Sequence, residues 1–133
     1  MILVDTNVLV DIVSDDPVWA DWSLRHLTLA AARDELAIND IVYAELSIRY
    51  ATIEALDAMI HEARLVSAAI PRPALFLAGK AYQRYRSAGG TKANVLPDFF
   101  VGAHAIVSAS ALITRDPARY RTYFPGIILI APN

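Results

Sequence analysis

The chain opens on an unbroken apolar run, Ile2-Leu3-Val4, that stops at Asp5. Similar short runs recur at Leu36-Ala37-Ile38, at Ala111-Leu112-Ile113-Thr114 and from Ile127 to Ile130. Branched apolar residues in unalternating runs predict strands buried on both faces, as in a parallel sheet. Between the runs the pattern turns helical. A short helix is expected from Val8 to Val13, closed by Ser14-Asp15-Asp16-Pro17. Asp16 then offers an N-cap and Pro17 a first helical residue for a helix reaching Arg33. Asn39-Asp40 offers a cap for a helix from Ile41 to Tyr50, and Thr52 for one reaching Ala63. Pro71 and Pro73 mark a connection, and Pro73 to Ala88 reads as a long helix ending at Gly89-Gly90. After a loop from Thr91 to Pro97, a helix is expected from Asp98 to Ser110, and a short one through Tyr120. Strands alternating with helices predict a three-layer α/β/α fold around a central parallel sheet.

Composition narrows the class. The 133 residues, 56% hydrophobic and 20% charged, read as one globular domain over residues 1–133 with a substantial core. The chain has no cysteine, which excludes disulfides, thiolate metal sites and cysteine nucleophiles, and is compatible with a reducing cytoplasm. Any metal must then be held by oxygen or imidazole, which favours magnesium or manganese. No Lys or Arg precedes the first apolar run, so the start makes a poor signal peptide. The longest uncharged run, Phe99 to Thr114, is shorter than the ~18 residues of a membrane span and reads as a core helix and strand. Net charge is −2, from 12 basic and 14 acidic residues, so contact with nucleic acid has to come from a local basic patch. The densest basic cluster, Lys80, Arg84 and Arg86, reads either as a solvated helix face or as a contact for a polyanion. Trp19 and Trp22 read either as core packing or as a platform for bases.

Topology places the acids. Asp5 and Asp116 directly follow strands, so both lie at the carboxyl edge of the sheet, where open α/β folds bind ligands. The helix from Asp98 leads into the strand Ala111 to Thr114. At ~1.5 Å per residue it spans about the length of a strand and its turn, and its first residue returns to the same edge. Glu45 lies ~6 to 8 Å into the helix that leaves this edge after Ile38, on the stripe of Ile41 and Ile48. Four carboxylates therefore share one rim. Two of them carry a competing reading: Asp5 as a helix cap, Glu45 as the ion-pair partner of Arg49.

Carboxylates this close raise one another's pKa values, and a divalent cation held by oxygens resolves the conflict. The chemistry that follows is metal-assisted hydrolysis of a phosphodiester. Thr6, Asn7 and Thr114 flank the acids and can hold either metal-bound waters or the carboxylates themselves. Arg115 is placed to meet a phosphate or to form a surface ion pair. His26, His61 and His104 lack metal-ligand spacing, and His104 reads as a core histidine. There is no glycine-rich phosphate loop and no nucleophile elbow.

Four stretches carry a family likeness: Val4-Asp5-Thr6-Asn7-Val8-Leu9-Val10-Asp11; Val42-Tyr43-Ala44-Glu45-Leu46; Asn94-Val95-Leu96-Pro97-Asp98-Phe99-Phe100-Val101-Gly102-Ala103-His104-Ala105; and Leu112-Ile113-Thr114-Arg115-Asp116-Pro117 continuing to Pro125. In this order and spacing the chain resembles the PIN-domain nucleases, and closely their VapC toxin branch of type II toxin–antitoxin systems. The resemblance implies a magnesium- or manganese-dependent endoribonuclease toxin with Asp5, Glu45, Asp98 and Asp116 as its acidic quartet and metal ligands. It also implies a PIN-like sheet of order 3-2-1-4-5, a homodimer, an RNA substrate and a cognate VapB-like antitoxin whose C-terminal segment enters the active-site groove. Two other readings compete. A catalytically idle PIN-like module would bind RNA or protein without cutting. A magnesium-dependent phosphatase of the haloacid-dehalogenase type also starts with a strand ending in Asp, but requires a second Asp two residues on, where this chain has Asn7.

Overall fold

In the computed structural model the elements run β1 (Ile2–Val4), α1 (Thr6–Val13), α2 (Ala20–Ala31), β2 (Leu36–Ile38), α3 (Asp40–Ser47), α4 (Ile53–Glu62) and β3 (Val66–Ser67). They continue with α5 (Arg72–Ser87), a 3-10 turn (Ala93–Val95), α6 (Leu96–Val107), β4 (Ala111–Ile113), α7 (Ala118–Tyr123) and β5 (Leu129–Ile130). The structure describes residues 1–133 except for the side chain of Ala93. The strands pair in parallel in the order β3-β2-β1-β4-β5, and helices flank the sheet. β1 sits in the middle: Leu3 is in register with Ala37 of β2 and with Leu112 of β4. Every residue of β1 and β2 is buried, which is why both read as unbroken apolar runs.

The caps explain where the helices begin. Asn39 Oδ1 accepts the Val42 N–H at 3.1 Å to start α3, and Thr52 Oγ1 accepts the Ala55 N–H at 3.1 Å to start α4. Gly89, at φ +94°, turns the chain out of α5 through a conformation that favours glycine. Asp5 caps α1 by accepting the Thr6 N–H at 2.8 Å, so this helix starts at Thr6 and not at Val8. Asp16 accepts the N–H groups of Val18 and Trp19 at 2.9 and 2.8 Å, but it shapes a turn. Regular helix begins only at Ala20 and stops at Ala31, inside the expected bounds. α6 begins at Leu96, two residues before Asp98, because Pro97 is tolerated in a first turn.

One expectation needs correction in its packing. α3 ends at Ser47, and its buried residues are Val42 and Leu46; Ile48 is 85% exposed, so Glu45 does not share a core stripe with it. The strand β3 is two residues at the sheet edge, and the exposed Ser67 interrupts the apolar stretch from Leu65 to Ile70 that would otherwise announce it. Trp22 packs against the core, whereas Trp19 lies half-buried under the Arg115 guanidinium, 5.6 Å from its ring centroid. His104 is buried, and burial lowers its pKa. The Asn39 amide nitrogen stands 3.2 Å from Nδ1 of its ring. Because Asn39 Oδ1 is taken by Val42, that amide can only donate, and Nδ1 accepts.

Gly102 in the middle of α6 allows a close approach: a Cβ there would stand 2.5 Å from the ring of the buried Phe124. The missing side chain lets the end of α7 close against α6. Among the described residues no helix is long and apolar enough to cross a membrane.

Candidate active site

At the carboxyl edge of the sheet, β1 delivers Asp5 into a buried position, 4% exposed. Its Oδ1 accepts the Thr6 N–H. Its Oδ2 accepts three further donors: Thr114 Oγ1 at 2.9 Å, Tyr120 OH at 2.8 Å and Asn7 Nδ2 at 3.3 Å. All four donors are neutral, and no Lys or Arg pairs with Asp5 among the described residues. Burial raises the Asp5 pKa; the hydrogen bonds of Tyr120, Thr114 and Thr6 oppose this, and the charge of Glu45 adds to it.

The residues around Asp5 are used to saturation. Thr114 Oγ1 gives its proton to Asp5 and accepts both Asn7 Nδ2 at 3.2 Å and the Asp116 N–H at 3.2 Å. Asn7 Oδ1 accepts the Arg115 N–H at 3.2 Å, which ties the β4–α7 connection to the start of α1. Thr6 Oγ1 donates to Glu45 Oε1 at 2.7 Å, joining α1 to α3. Of the two readings for Thr6, Asn7 and Thr114, the structure shows them holding carboxylates.

Asp98 stands in the first turn of α6, where the helix dipole favours an anion, and its Oδ2 accepts Arg119 Nη1 at 2.6 Å. Even so its carboxyl is pushed up to about 6, first by burial and then by the charge of Asp5, with Arg119 pulling the other way and Glu45 adding. Asp5, Glu45 and Asp98 thus lie within reach of one another's fields. Asp116 is exposed, and what connects it to the group is its backbone N–H on Thr114. The structure therefore leaves Asp5, Glu45 and Asp98 feeling one another's charge without closing around one point, and sets Asp116 exposed at the outer rim.

Glu45 is not paired with Arg49; its partner is Thr6. Arg115 forms an ion pair, through Nε to Oδ2 of the buried Asp11 at 2.7 Å, with Ser23 Oγ on the same oxygen at 2.9 Å. Arg119 and Tyr120 escape sequence reasoning because their partners, Asp98 and Asp5, are far away in the chain. The one available signal was that a tyrosine buried at a helix–sheet junction needs a partner for its hydroxyl. Burial, then the charges of Asp5 and Asp98, hold the Tyr120 pKa well above its ordinary value, so the phenol stays protonated and remains a donor.

The donor set is oxygen-only and rich in like charge, which fits a hard divalent cation. As the side chains stand, no three acidic or imidazole groups among the described residues close around one point, and Asp98 is turned onto Arg119. The like charge has a measurable consequence. In the folded chain Asp98 binds its proton more tightly than the ordinary 3.8, so between that value and about 6 the folded state carries more protons than the unfolded one. Stability without added metal is expected to fall as pH rises through this window. Thermal unfolding in chelator across the window checks it; a midpoint that rises with pH there refutes the electrostatic picture.

The PIN domain family model matches residues 2–125. No curated protein matches the chain. Among solved structures it is similar to VapBC2 from Rickettsia felis bound to a promoter DNA fragment, at 24% identity over 100% of each chain with a TM-score of 0.75. It is similar also to VapBC-1 from nontypeable Haemophilus influenzae, at 18% identity over 98% of each chain with a TM-score of 0.73. A toxin–antitoxin complex from Klebsiella pneumoniae matches at 22% identity over 96% of each chain with a TM-score of 0.67. At these identities the likeness is one of fold.

Proposed function

Because this chain belongs to the PIN-domain family, whose members are generally nucleases, we propose that it is a divalent-metal-dependent endoribonuclease toxin of the VapC type. The observation that carries the reading is Asp5: a buried carboxylate held by four neutral donors, with Glu45 and Asp98 close by and no cation of its own. A carboxylate kept solely for structure would be paired, or replaced by a neutral group, because an uncompensated buried charge is costly.

Asp5, Asp98 and Asp116, with Glu45, are the residues that would hold magnesium or manganese. When bound, such a cation supplies an acidified water at neutral pH and positive charge against the phosphate. The chain's own groups do the rest. Thr6 fixes Glu45, while Asn7, Thr114 and Tyr120 fix Asp5 with donors that keep their protons at neutral pH. Arg119 places a guanidinium at the rim beside Asp98, where a scissile phosphate would meet it. The similarity to toxin–antitoxin complexes supports a VapB-like antitoxin as partner; a homodimeric toxin acting as one domain over residues 1–133 belongs to the same proposal.

The test is cleavage. Purified chain, free of any antitoxin, is expected to cut RNA with magnesium or manganese and to stop in chelator. Asp5→Asn should lower the rate by on the order of 10²-fold or more. Cleavage undiminished in that variant sinks the assignment; tight RNA binding without cutting under any divalent metal favours the idle binding module.

A further inference from the structure

Charge is divided unevenly along the chain. Residues 1–71 carry 12 acidic and 4 basic side chains, whereas residues 72–133 carry 8 basic and only 2 acidic, Asp98 and Asp116. Between Glu62 and Asp98 there is no acidic residue. The fold turns this division into a surface. α5 packs along α6, and α6 meets α7. Arg84 Nη2 donates to the Tyr123 carbonyl at 3.4 Å, and the Tyr85 and Tyr123 rings meet edge to face at 5.9 Å, so the second half of α5 lies against the end of α7. Lys80, one turn before Arg84, is on the same face of α5 and exposed. Lys92 is exposed, its N–H bonded to the Tyr85 hydroxyl at 3.1 Å. At the other end of α7, Arg119 touches Asp98. A line of cations therefore leads over α5 and α7 to the carboxylate rim.

A basic last turn by itself only complements the helix dipole, and that accounts for Arg84 and Arg86. It does not account for Lys80, Lys92 and Arg119, which lie outside that turn. The clustering also opposes the chain's overall negative balance, so it is not a by-product of composition.

We propose that the α5–α7 flank, through Lys80, Arg84 and Lys92, is the track along which the phosphate backbone of single-stranded RNA reaches the rim, with Arg119 at its inner end. The proposal rests on the nuclease reading for its substrate class, and it assigns the direction of approach: the strand lies over α5 and α7, away from the acidic α2–α4 side.

Binding can be separated from cutting by working in chelator. Fluorescence polarisation of a labelled, mixed-sequence single-stranded RNA would be followed across salt concentrations for three proteins. These are the unaltered chain, the triple variant Lys80→Gln/Arg84→Gln/Lys92→Gln, and a control triple Arg25→Gln/Arg33→Gln/Arg64→Gln. The control removes the same charge from exposed positions on the acidic side. Each neutralised phosphate adds about 0.7 to the salt slope for a single strand, so the track triple should lose roughly 2 from its slope and about tenfold or more in affinity at low salt. The control triple should keep its slope. The double variant Lys80→Gln/Lys92→Gln, which leaves the Arg84–Tyr123 contact intact, should lose about 1.4. Equal losses in the two triples, or an unchanged slope in the track variants, overturn the track. Failure of the nuclease reading shows differently, as intact binding with no cleavage on adding metal.

Discussion

Asp98→Asn is expected to slow metal-dependent cleavage severely and at the same time to stabilise the protein in chelator. The two effects have one cause. Asp98 is ionised at neutral pH against the combined push of burial and the Asp5 charge, and Arg119 offsets only part of that. An asparagine oxygen can still accept Arg119 Nη1, so the substitution removes the charge and keeps the contact. After allowing for solvent screening of a side chain one-third exposed, the gain should be on the order of 1 kcal/mol, a few degrees in Tm for a chain of this length. Cleavage should fall by on the order of 10²–10³-fold, the scale on which single losses of preorganised electrostatic stabilisation act in other active sites. Parallel melting curves and RNA cleavage time courses measure both. A variant that melts lower in chelator and still cuts contradicts the account twice.

The second large effect lies in the core. Leu3→Ala removes a side chain 2% exposed from the middle strand, between Ala37 and Leu112. The neighbours on both sides are strands, so the space cannot collapse easily. The expected cost is about 3–4 kcal/mol, in the middle of the range for buried leucines. Chemical denaturation should show the midpoint move with little change in slope, and a loss below about 1 kcal/mol would mean that β1 is not the packed centre described above.

Much of this arrangement was legible beforehand because it follows from local rules. Ile2-Leu3-Val4 and Leu36-Ala37-Ile38 announced buried strands, Asn39 and Thr52 announced helix starts, and Asp5 fell at the edge where ligands bind. What escaped depends on partners remote in sequence or on weak signals. β3 is two residues long and carries no run of apolar side chains. Arg115 met Asp11, and Tyr120 met Asp5, across separations of 104 and 115 residues. Asp5 itself shows that cap and candidate ligand were never exclusive: Oδ1 closes the start of α1 while Oδ2 faces the donors of the rim. Replacing it therefore disturbs a helix as well as the proposed site, which makes Asp98 the cleaner position for a functional test.

The long reach of the Asp5 contacts also bears on how the protein is made. Synthesis runs from N- to C-terminus, so Asp5, Thr6 and Asn7 are made together, but Thr114 and Tyr120 come 109 and 115 residues after Asp5. Until β4 and α7 leave the ribosome, the buried oxygen of Asp5 lacks two of its three donors, and β1 lacks one of its two neighbours. A chain that stops short of β4 and α7 thus leaves the Asp5 carboxylate without the Thr114 and Tyr120 donors that hold it.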